Sequence, residues 1–317
     1  MARQFGMAVT RSVPVAFFVM CMVSPALGAA TPIPQNKVIT WDSAKDGAGH
    51  AYAAGGLTLT FQSKQTKTEA TAAELTISMA KGPTIRYPFS GGLEHPETEF
   101  AVGRIDAASP ALQVLIAPYS GGAHCCLERK LFVVHAGKWK MLEINAGMNG
   151  GEMQFPKDVN GDGTPDFVLA DDNFAYSFGC YACSWLPPRI FTVRDGNLVD
   201  GSNSRKYDDI FRQDIEAAKK ACTGQDADKG FCAGVAADGA RLGEFETNWQ
   251  WVMKHYPRGE EWFYPDGCKV ATRAGQDCPK GSEIKYATFP EALAAFMKKY
   301  GYISDAQARW AVKEGKR

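Results

Sequence analysis

The sequence contains 317 residues, 45% of them hydrophobic, and its 35 basic and 35 acidic side chains give a formal net charge of zero. A balanced charge gives no indication of a nucleic-acid or anionic-membrane partner. The length is sufficient for two folded domains, and the composition is typical of a globular protein.

The first 30 residues have the parts of a secretory signal peptide. Arg3 and Arg11 lie in a basic leader, an apolar run occupies residues 13–23, and the small residues of SPALGAA follow it. The apolar run is shorter than the about 20 residues that a membrane-spanning helix needs. We therefore predict that residues 1–30 are a signal peptide, that the mature chain has no transmembrane segment, and that the protein is periplasmic or secreted.

Residues 37–202 are predicted to form a β domain. Short runs rich in β-branched and aromatic residues are separated by Gly, Asn, Asp and Pro, which is typical of strands joined by turns. The runs are LTLTF (57–61), ELTISMA (74–80), QVLIA (113–117), KLFVV (130–134), DFVLA (166–170) and RIFTV (189–193).

An internal repeat is predicted within this β domain. The segment IDAASPALQVLIA (105–117) is similar to KDVNGDGTPDFVLA (157–170), and FVVHAGKW (132–139) is similar to FTVRDGNL (191–198). Two such units fit a repeated β-meander in which neighbouring units bury each other's faces.

The stretch DVNGDGTPD (158–166) places oxygen-bearing side chains on alternate residues. Asp158, Asn160 and Asp162 are followed by Gly163, which permits the positive φ of a sharp turn, and Asp166 ends the stretch. Close carboxylates repel one another unless a positive charge lies between them, and hard oxygen ligands suit Ca²⁺. The loop is not an EF-hand, because Leu169 stands where that motif needs a bidentate Glu.

This stretch resembles the calcium loop of FG-GAP or VCBS repeats, which occur in integrin α-chain propellers and in bacterial exported proteins. The resemblance rests on the acidic pattern of DVNGDGTPD and on the apolar strand DFVLA that follows it. It implies a propeller-blade-like β-repeat fold and a bound Ca²⁺. The implied ligands are the side chains of Asp158, Asn160, Asp162 and Asp166 and the carbonyl of Thr164.

Eight cysteines remain after the predicted signal peptide, and an even number in an exported chain favours disulfides. They are Cys125, Cys126, Cys180, Cys183, Cys222, Cys232, Cys268 and Cys278. We predict Cys222–Cys232 and Cys268–Cys278 bridges, each of which would staple a short loop.

The other four cysteines and His124 leave three interpretations open. Cys125 and Cys126 could form two disulfides with Cys180 and Cys183 that link adjacent units. The same cysteines could bind Zn or copper together with His124, or the CxxC motif could be redox-active. The aromatic residues nearby indicate either a sugar- or peptide-binding face or core packing; they are Phe174, Tyr176, Phe178, Tyr181 and Trp185.

Residues 203–317 are predicted to form a small α-helical domain with disulfide-stapled loops. Helical periodicity is present in residues 208–222, 243–256, 289–302 and 305–315. Asp208 or Asp209 is the predicted N-cap of the first of these helices, and Ser304 that of the last. The predicted fold class is therefore α+β, with an N-terminal β-repeat domain followed by the helical domain.

The sequence predicts a non-enzymatic, calcium-binding module that binds a protein or a glycan in the cell envelope. No convincing set of residues has the spacing of a catalytic site, so the sequence does not predict an enzyme. The alternative is a periplasmic thiol-disulfide or metal-dependent oxidoreductase that uses the Cys/His cluster.

Overall fold

The computed structural model describes residues 29–64, 72–90, 96–118, 128–145, 153–259, 264–270 and 277–316. The predicted signal peptide, except for residues 29–30, lies outside the described residues, and so do His124, Cys125 and Cys126.

Strands dominate the first two thirds of the described chain. In chain order they are β1 (Thr31–Pro32), β2 (Val38–Asp42), β3 (Gly49–Ala54), β4 (Leu57–Lys64), β5 (Ala72–Met79), β6 (Thr84–Ser90), β7 (Glu97–Gly103), β8 (Gln113–Pro118), β9 (Glu128–His135), β10 (Lys138–Asn145), β11 (Asp166–Ala170), β12 (Pro188–Arg194), β13 (Asn197–Asp200), β14 (Gly267–Cys268) and β15 (Glu283–Ile284). Each predicted strand segment lies in one of these strands apart from a terminal residue of ELTISMA.

The helices lie mainly in the last third. They are α1 (Ser43–Asp46), α2 (Asp208–Cys222), α3 (Lys229–Arg241), α4 (Phe245–His255), α5 (Phe289–Lys299) and α6 (Asp305–Glu314). The α+β class and the helical character of the C-terminal part are confirmed. Among the described residues, no helix is long and apolar enough to cross a membrane.

The strands form three successive sheets and one small ribbon. The first sheet has the order β1-β3-β4-β5-β6, the second β10-β9-β8-β7-β2 and the third β11-β12-β13, while β14 pairs with β15. All pairs are antiparallel except β1 with β3.

The second sheet is buried on both faces. On one face, Phe100 and Phe132 pack with Phe61 of the first sheet in one hydrophobic cluster. On the other face, Leu115 packs with Phe167 of the third sheet in a second cluster. This explains why QVLIA reads as a continuous apolar run rather than as an alternating pattern.

The third sheet connects the β part to the helices. Its Ile190 lies in the same cluster as Phe211 of α2, Trp249 of α4 and Leu293 of α5. The molecule is thus layered as first sheet, second sheet, third sheet and helices, each layer covering an apolar face of the previous one.

One of the two pairs of similar sequence segments, residues 132–139 and 191–198, forms two hairpins of the same type. Both β9–β10 and β12–β13 are hairpins with a two-residue turn, Ala136–Gly137 in one and Asp195–Gly196 in the other. All four turn residues have positive φ, as tight hairpin turns require. The backbone N–H of Gly196, in the second hairpin, donates to Oδ2 of Asp106, which precedes β8, at 2.8 Å.

Helix α3 is not predicted from the sequence because it lacks a polar face. Nearly all of its residues are buried, so no amphipathic period is present. A Cβ atom on Gly230 would lie 2.2 Å from the Cys183 carbonyl oxygen, and one on Gly234 would lie 2.3 Å from Trp185 Cδ1. Glycine therefore allows residues 183–185 to approach the helix closely.

The predicted helix caps have different outcomes. Ser304 caps α6 as predicted: its Oγ accepts from the Gln307 N–H at 3.3 Å in a capping box. The prediction for α2 is wrong, because Asp208 and Asp209 lie in the first turn of α2 rather than at its N-cap. A 3₁₀ turn over residues 205–207, capped by Ser204, extends the chain into α2 and moves the boundary.

Three disulfides lie within the described residues: Cys180–Cys183, Cys222–Cys232 and Cys268–Cys278. The last two are confirmed. Of the three interpretations of the Cys/His cluster, the one that cross-links Cys180 and Cys183 to Cys125 and Cys126 is contradicted, because Cys180 is bonded to Cys183. The 3₁₀ turn over Tyr181–Cys183 brings the Cα atoms of Cys180 and Cys183 to 4.9 Å, so they pair with each other.

A buried carboxyl group of α3, that of Asp238, lies beside the partly buried Asp214 of α2. Asp238 is fully buried, and neither of its oxygens has a hydrogen-bond donor among the described residues. Burial, reinforced by neighbouring Asp214, raises the pKa of Asp238 well above its ordinary value. The Trp185 indole N–H donates to Asp214 at 2.7 Å.

We predict that Gly230→Ala lowers the free energy of unfolding by about 1–3 kcal/mol, because the new methyl group collides with the Cys183 backbone. Chemical denaturation measures this change. The control is Gly259→Ala, where the structure has open space around the new Cβ and little change is expected. Equal stability of the two variants would contradict the close approach.

We predict that Asp238→Asn makes stability less dependent on pH. A raised folded-state pKa means that the native state holds a proton that the unfolded chain releases near pH 4. The wild type therefore loses stability as the pH rises from there towards the folded-state pKa. Melting temperatures from acidic to neutral pH should favour the variant increasingly, whereas exposed Asp226→Asn should follow the wild type.

Candidate functional site

The acidic loop, residues 158–166, lies immediately before β11 and is closed at its base. The Asp166 N–H donates to the Lys157 carbonyl at 2.8 Å, and the Lys157 N–H donates back at 3.3 Å. This isolated bridge fixes both ends of the loop.

Asp158 organises the loop by accepting backbone hydrogen bonds. Its Oδ1 accepts from the N–H groups of Gly161 at 2.8 Å and Asp162 at 3.1 Å, and its Oδ2 accepts from Gly163 at 2.8 Å. Both glycines have positive φ, 76° and 84°. Asn160 Oδ1 accepts a further bond from the Asp162 N–H at 2.9 Å.

Asp162 binds a basic side chain from the helical part of the chain. Its Oδ1 accepts from the Thr164 N–H, while Oδ2 lies 3.0 Å from Lys206 Nζ and 3.8 Å from an Arg194 guanidinium nitrogen. The hydrogen bond from Lys206 lowers the pKa of the Asp162 carboxyl group.

Asp166 is the buried acid of the loop, with 2% of its surface exposed. Its Oδ1 accepts from the Tyr207 hydroxyl at 2.8 Å, and its Oδ2 accepts from the Val159 N–H and the Asn160 side-chain amide. Burial raises the pKa of Asp166, and burial together with this carboxylate raises the pKa of Tyr207 to about 12.

The oxygen-bearing side chains of the loop suit calcium, and in the described structure they accept N–H groups and lie beside basic side chains. Within the described part of the chain, no group of three or more His, Cys, Asp or Glu side chains is placed to hold a metal ion. The carboxylates instead accept backbone N–H groups, and Lys206 and Arg194 lie beside Asp162, where they would repel a divalent cation. The described geometry fits an intramolecular ammonium group, and calcium binding stays a prediction.

The Cys/His cluster is only partly within the described structure. Cys180 and Cys183 are joined in a disulfide, so they supply no thiolate ligand in this state. Among the nearby aromatic residues, Phe174 and Phe178 belong to the helical core, as core packing predicts. Tyr176 differs from them: it is 48% exposed, and its ring is tilted by 34° to that of Tyr181 with 5.3 Å between the ring centroids.

A second site, which the sequence analysis missed, is a cleft between the edge strand β10 and the third sheet. It has a volume of about 330 Å³. Leu169, Phe191 and Leu198 form its apolar floor, and polar groups from β10, β12 and the segment after β11 surround this floor. The polar run Asp171-Asp172-Asn173 after a strand was the only indication of this site in the sequence. The sequence did not show that Glu143 of β10 lies on the other side of the cleft.

An ordered turn after β11 forms one wall of the cleft. Asp171, 3% exposed, accepts from the Asn173 side-chain amide at 2.6 Å and from the Tyr302 hydroxyl at 2.7 Å. Burial and this carboxylate raise the pKa of Tyr302 well above its ordinary value, so the hydroxyl remains a donor.

The basic side chains Arg189 and Lys130 near the cleft form ion pairs with carboxylates. The Arg189 guanidinium lies 4.9 Å from the centroid of Phe191 and 2.9 Å from Asp200 Oδ2. Across the cleft, Glu143 Oε1 lies 2.9 Å from Lys130 Nζ. Arg189 and Lys130 are therefore already paired with carboxylates.

Comparison with known proteins gives one family match in the helical part of the chain and two relatives. Residues 209–301, which cover most of α2 and all of α3, α4 and α5, match the family model of the sll0997 C-terminal domain. The chain is 33% identical over 205 residues to "Probable thylakoid lumen protein sll0997" of Synechocystis sp., an alignment that covers 63% of this chain and 59% of that protein.

A second relative is more distant. The chain is 26% identical over 208 residues to "Uncharacterized protein y4bJ" of Sinorhizobium fredii, which covers 65% of this chain and 32% of that protein. The chain thus spans less than two thirds of the length of either relative. No solved structure gives a significant match.

The two assignments of positive charge to the loop differ in their calcium dependence: with the Lys206 ammonium alone, the wild-type melting temperature should be the same in a chelator and in about 5 mM calcium, which exceeds the dissociation constants of weak extracellular calcium modules, whereas a bound Ca²⁺ should raise it. Tyr207→Phe should cost about 1–3 kcal/mol, because buried Asp166 loses a donor. Lys206→Met should lower the melting temperature only slightly, since the ion pair is exposed.

The control for these variants is Lys285→Met, which breaks an exposed ion pair with Asp266 elsewhere. A wild-type melting temperature that falls in chelator and recovers with calcium would contradict the ammonium assignment and support the calcium prediction.

Proposed function

We propose that this chain is an exported, non-enzymatic binding protein of the cell envelope whose ligand site is the cleft between β10 and the third sheet. The observation that carries the proposal is the cleft itself. Its volume lies within the range of about 300–1,000 Å³ of small-molecule sites, and it combines an apolar floor with a few converging polar groups.

Export is supported by three independent observations. The chain begins with a basic and apolar leader, and its described cysteines form disulfides, which persist in oxidising compartments. A relative is described as a thylakoid lumen protein, which indicates an extracytoplasmic location for that protein.

Binding is favoured over thiol chemistry by the surroundings of the CxxC motif. The Cys183 carbonyl lies against Gly230, and the Trp185 N–H donates to the Gly230 carbonyl at 3.4 Å. The disulfide therefore fastens a turn against α3. One observation supports the oxidoreductase alternative: Cys180 and Cys183 are only partly buried, so an external thiol could reach them.

We further propose that β8–β10 and β11–β13 are two copies of one meander. Their support is the matching pair of hairpin turns and the antiparallel order shared by both sets of strands. The first meander is extended by β7 and β2 into a wider sheet, whereas the second keeps three strands. A protein or glycan partner and a calcium ion remain predictions from the sequence, and the cleft proposal needs neither.

The full chain expressed with its leader in a bacterial host tests this proposal. We expect a processed protein in the periplasm, with the six described cysteines protected from alkylation until reductant is added. Assays of disulfide reduction and dithiol oxidation should show no turnover above a Cys180→Ser/Cys183→Ser control. Turnover that this control lacks would replace the binding protein with the oxidoreductase, and retention in the cytoplasm would contradict export.

A further inference from the structure

The disulfide between Cys180 and Cys183, called the CxxC bridge below, can be reached from solvent. Both of its cysteines are partly exposed, whereas Cys222 and Cys232 are 0% exposed in the core of the helical part. Exchange requires an external thiolate to approach a sulfur atom of the bridge, so its rate depends on access. The CxxC bridge is therefore open to an external thiol in the folded protein, and the Cys222–Cys232 bridge is not.

The Cys268–Cys278 bridge is partly exposed as well, and the length of the closed loop separates it from the CxxC bridge. It spans ten positions in sequence, whereas the CxxC bridge spans three. A bridge removes less entropy from the unfolded chain when it closes a shorter loop. The CxxC bridge thus combines access with the smaller expected contribution to stability.

Other contacts hold the turn that carries the CxxC bridge. The Cys183 N–H donates to the Cys180 carbonyl at 3.0 Å, and the Ser184 hydroxyl donates to the same carbonyl at 2.9 Å. The Trp185 N–H donates to the Gly230 carbonyl of α3 at 3.4 Å. These hydrogen bonds do not involve the sulfur atoms, so we expect the turn to keep its place when the bridge is open.

An aromatic pair lies beside the CxxC bridge. Tyr181 stands between the two cysteines in sequence, and its ring centroid lies 5.3 Å from that of Tyr176, which is 48% exposed. Tyr176 has a φ of 59°, which is unusual for a bulky residue, and its N–H donates to Ser184 Oγ at 2.9 Å. Strained backbone of this kind clusters at functional sites, and aromatic side chains are enriched in protein–protein interfaces. The pair therefore offers contact surface to a protein that approaches the bridge.

We propose that the CxxC bridge is an exchange site at which a partner protein with a dithiol reduces this chain, and that Tyr176 and Tyr181 contact the partner. A thiolate of the partner attacks one sulfur atom, the S–S bond breaks, and the other cysteine leaves as a thiolate. The partner's second thiol then attacks the mixed disulfide. Two electrons and two protons pass to Cys180 and Cys183, which become thiols, and the partner's two thiols become a disulfide.

This inference goes beyond the proposed binding function. The chain is the target of the reductant, and each molecule reacts once, so exchange at this site requires no catalytic turnover. The chemistry uses the turn between residues 180 and 183 and is independent of what the cleft binds.

Reduction of the folded, full mature protein tests the exchange site. The reductants are reduced thioredoxin, as a protein dithiol, and dithiothreitol, and alkylation with peptide-resolved mass spectrometry follows each cysteine. We expect Cys180 and Cys183 to react at least about tenfold faster than Cys222 and Cys232 with both reductants. A thioredoxin variant that lacks its second thiol should remain attached to Cys180 or Cys183 as a mixed disulfide.

Two variants test the aromatic contact surface. Tyr176→Asn removes the exposed ring and introduces a residue that tolerates positive φ. It should slow reduction of the CxxC bridge by thioredoxin about fivefold and leave reduction by dithiothreitol unchanged, because the small reagent needs no contact surface. Val199→Asn, at a residue of β13 that is 42% exposed, is the control and should leave both rates unchanged. Circular dichroism confirms that each variant is folded.

A stability measurement separates an exchange site from a structural bridge. Cys180→Ser/Cys183→Ser should change the unfolding equilibrium constant about fivefold less than Cys268→Ser/Cys278→Ser, because the closed loop is shorter. Chemical denaturation of the two double variants and the oxidised wild type measures both changes. A larger effect for the CxxC pair would show that the bridge serves the fold and would contradict the exchange site.

The remaining outcomes separate the parts of the proposal from each other and from the binding function. Reduction of the CxxC bridge no faster than that of Cys222–Cys232 would overturn the exchange site and leave the cleft and the non-enzymatic function standing. Equal thioredoxin rates for the wild type and Tyr176→Asn would overturn the aromatic contact surface. Turnover that Cys180→Ser/Cys183→Ser lacks would preserve the exchange site and overturn the non-enzymatic function.

Discussion

Two buried hydrogen bonds between tyrosine and aspartate hold the sheets and the helices in one arrangement. Asp166 at the start of β11 accepts from Tyr207, and Asp171 just after its end accepts from Tyr302. All four side chains are largely buried, where an unpartnered carboxylate or hydroxyl would be costly. These two hydrogen bonds fix both ends of the short strand β11. They therefore also fix the positions of the loops on either side of it. The acidic loop and the cleft are therefore parts of one junction.

The acidic loop shows that the negative charge of one pattern of acidic residues can be balanced by different positive groups. The spacing of its acids indicates that positive charge must lie nearby, and the structure supplies backbone N–H groups and the Lys206 ammonium. Lys206 is 44 residues from Asp162, and nothing in the nonapeptide itself points to it. The spacing of acids therefore indicates that positive charge lies near the loop but does not identify the group that carries it.

Local features of the fold could be predicted from the sequence, and long-range ones could not. The predicted strands, the amphipathic helices and the two short-range disulfides of the helical part depend on neighbouring residues and are present. Helix α3 was missed because burial on all sides removes periodicity. The cleft was missed because Glu143 and Arg189 reach it from different sheets. The Tyr302–Asp171 contact spans 131 residues, and no single-sequence pattern encodes such a pairing.

The described disulfides join cysteines only 3, 10 and 10 positions apart in sequence. Such partners meet rapidly even in an unfolded chain, because the entropy of closing a short loop is small compared with that of a long one. Each of these bridges can form while the chain is still emerging into an oxidising compartment, before any distant segment is available. Formation of these bridges therefore requires none of the long-range contacts between the sheets and the helices.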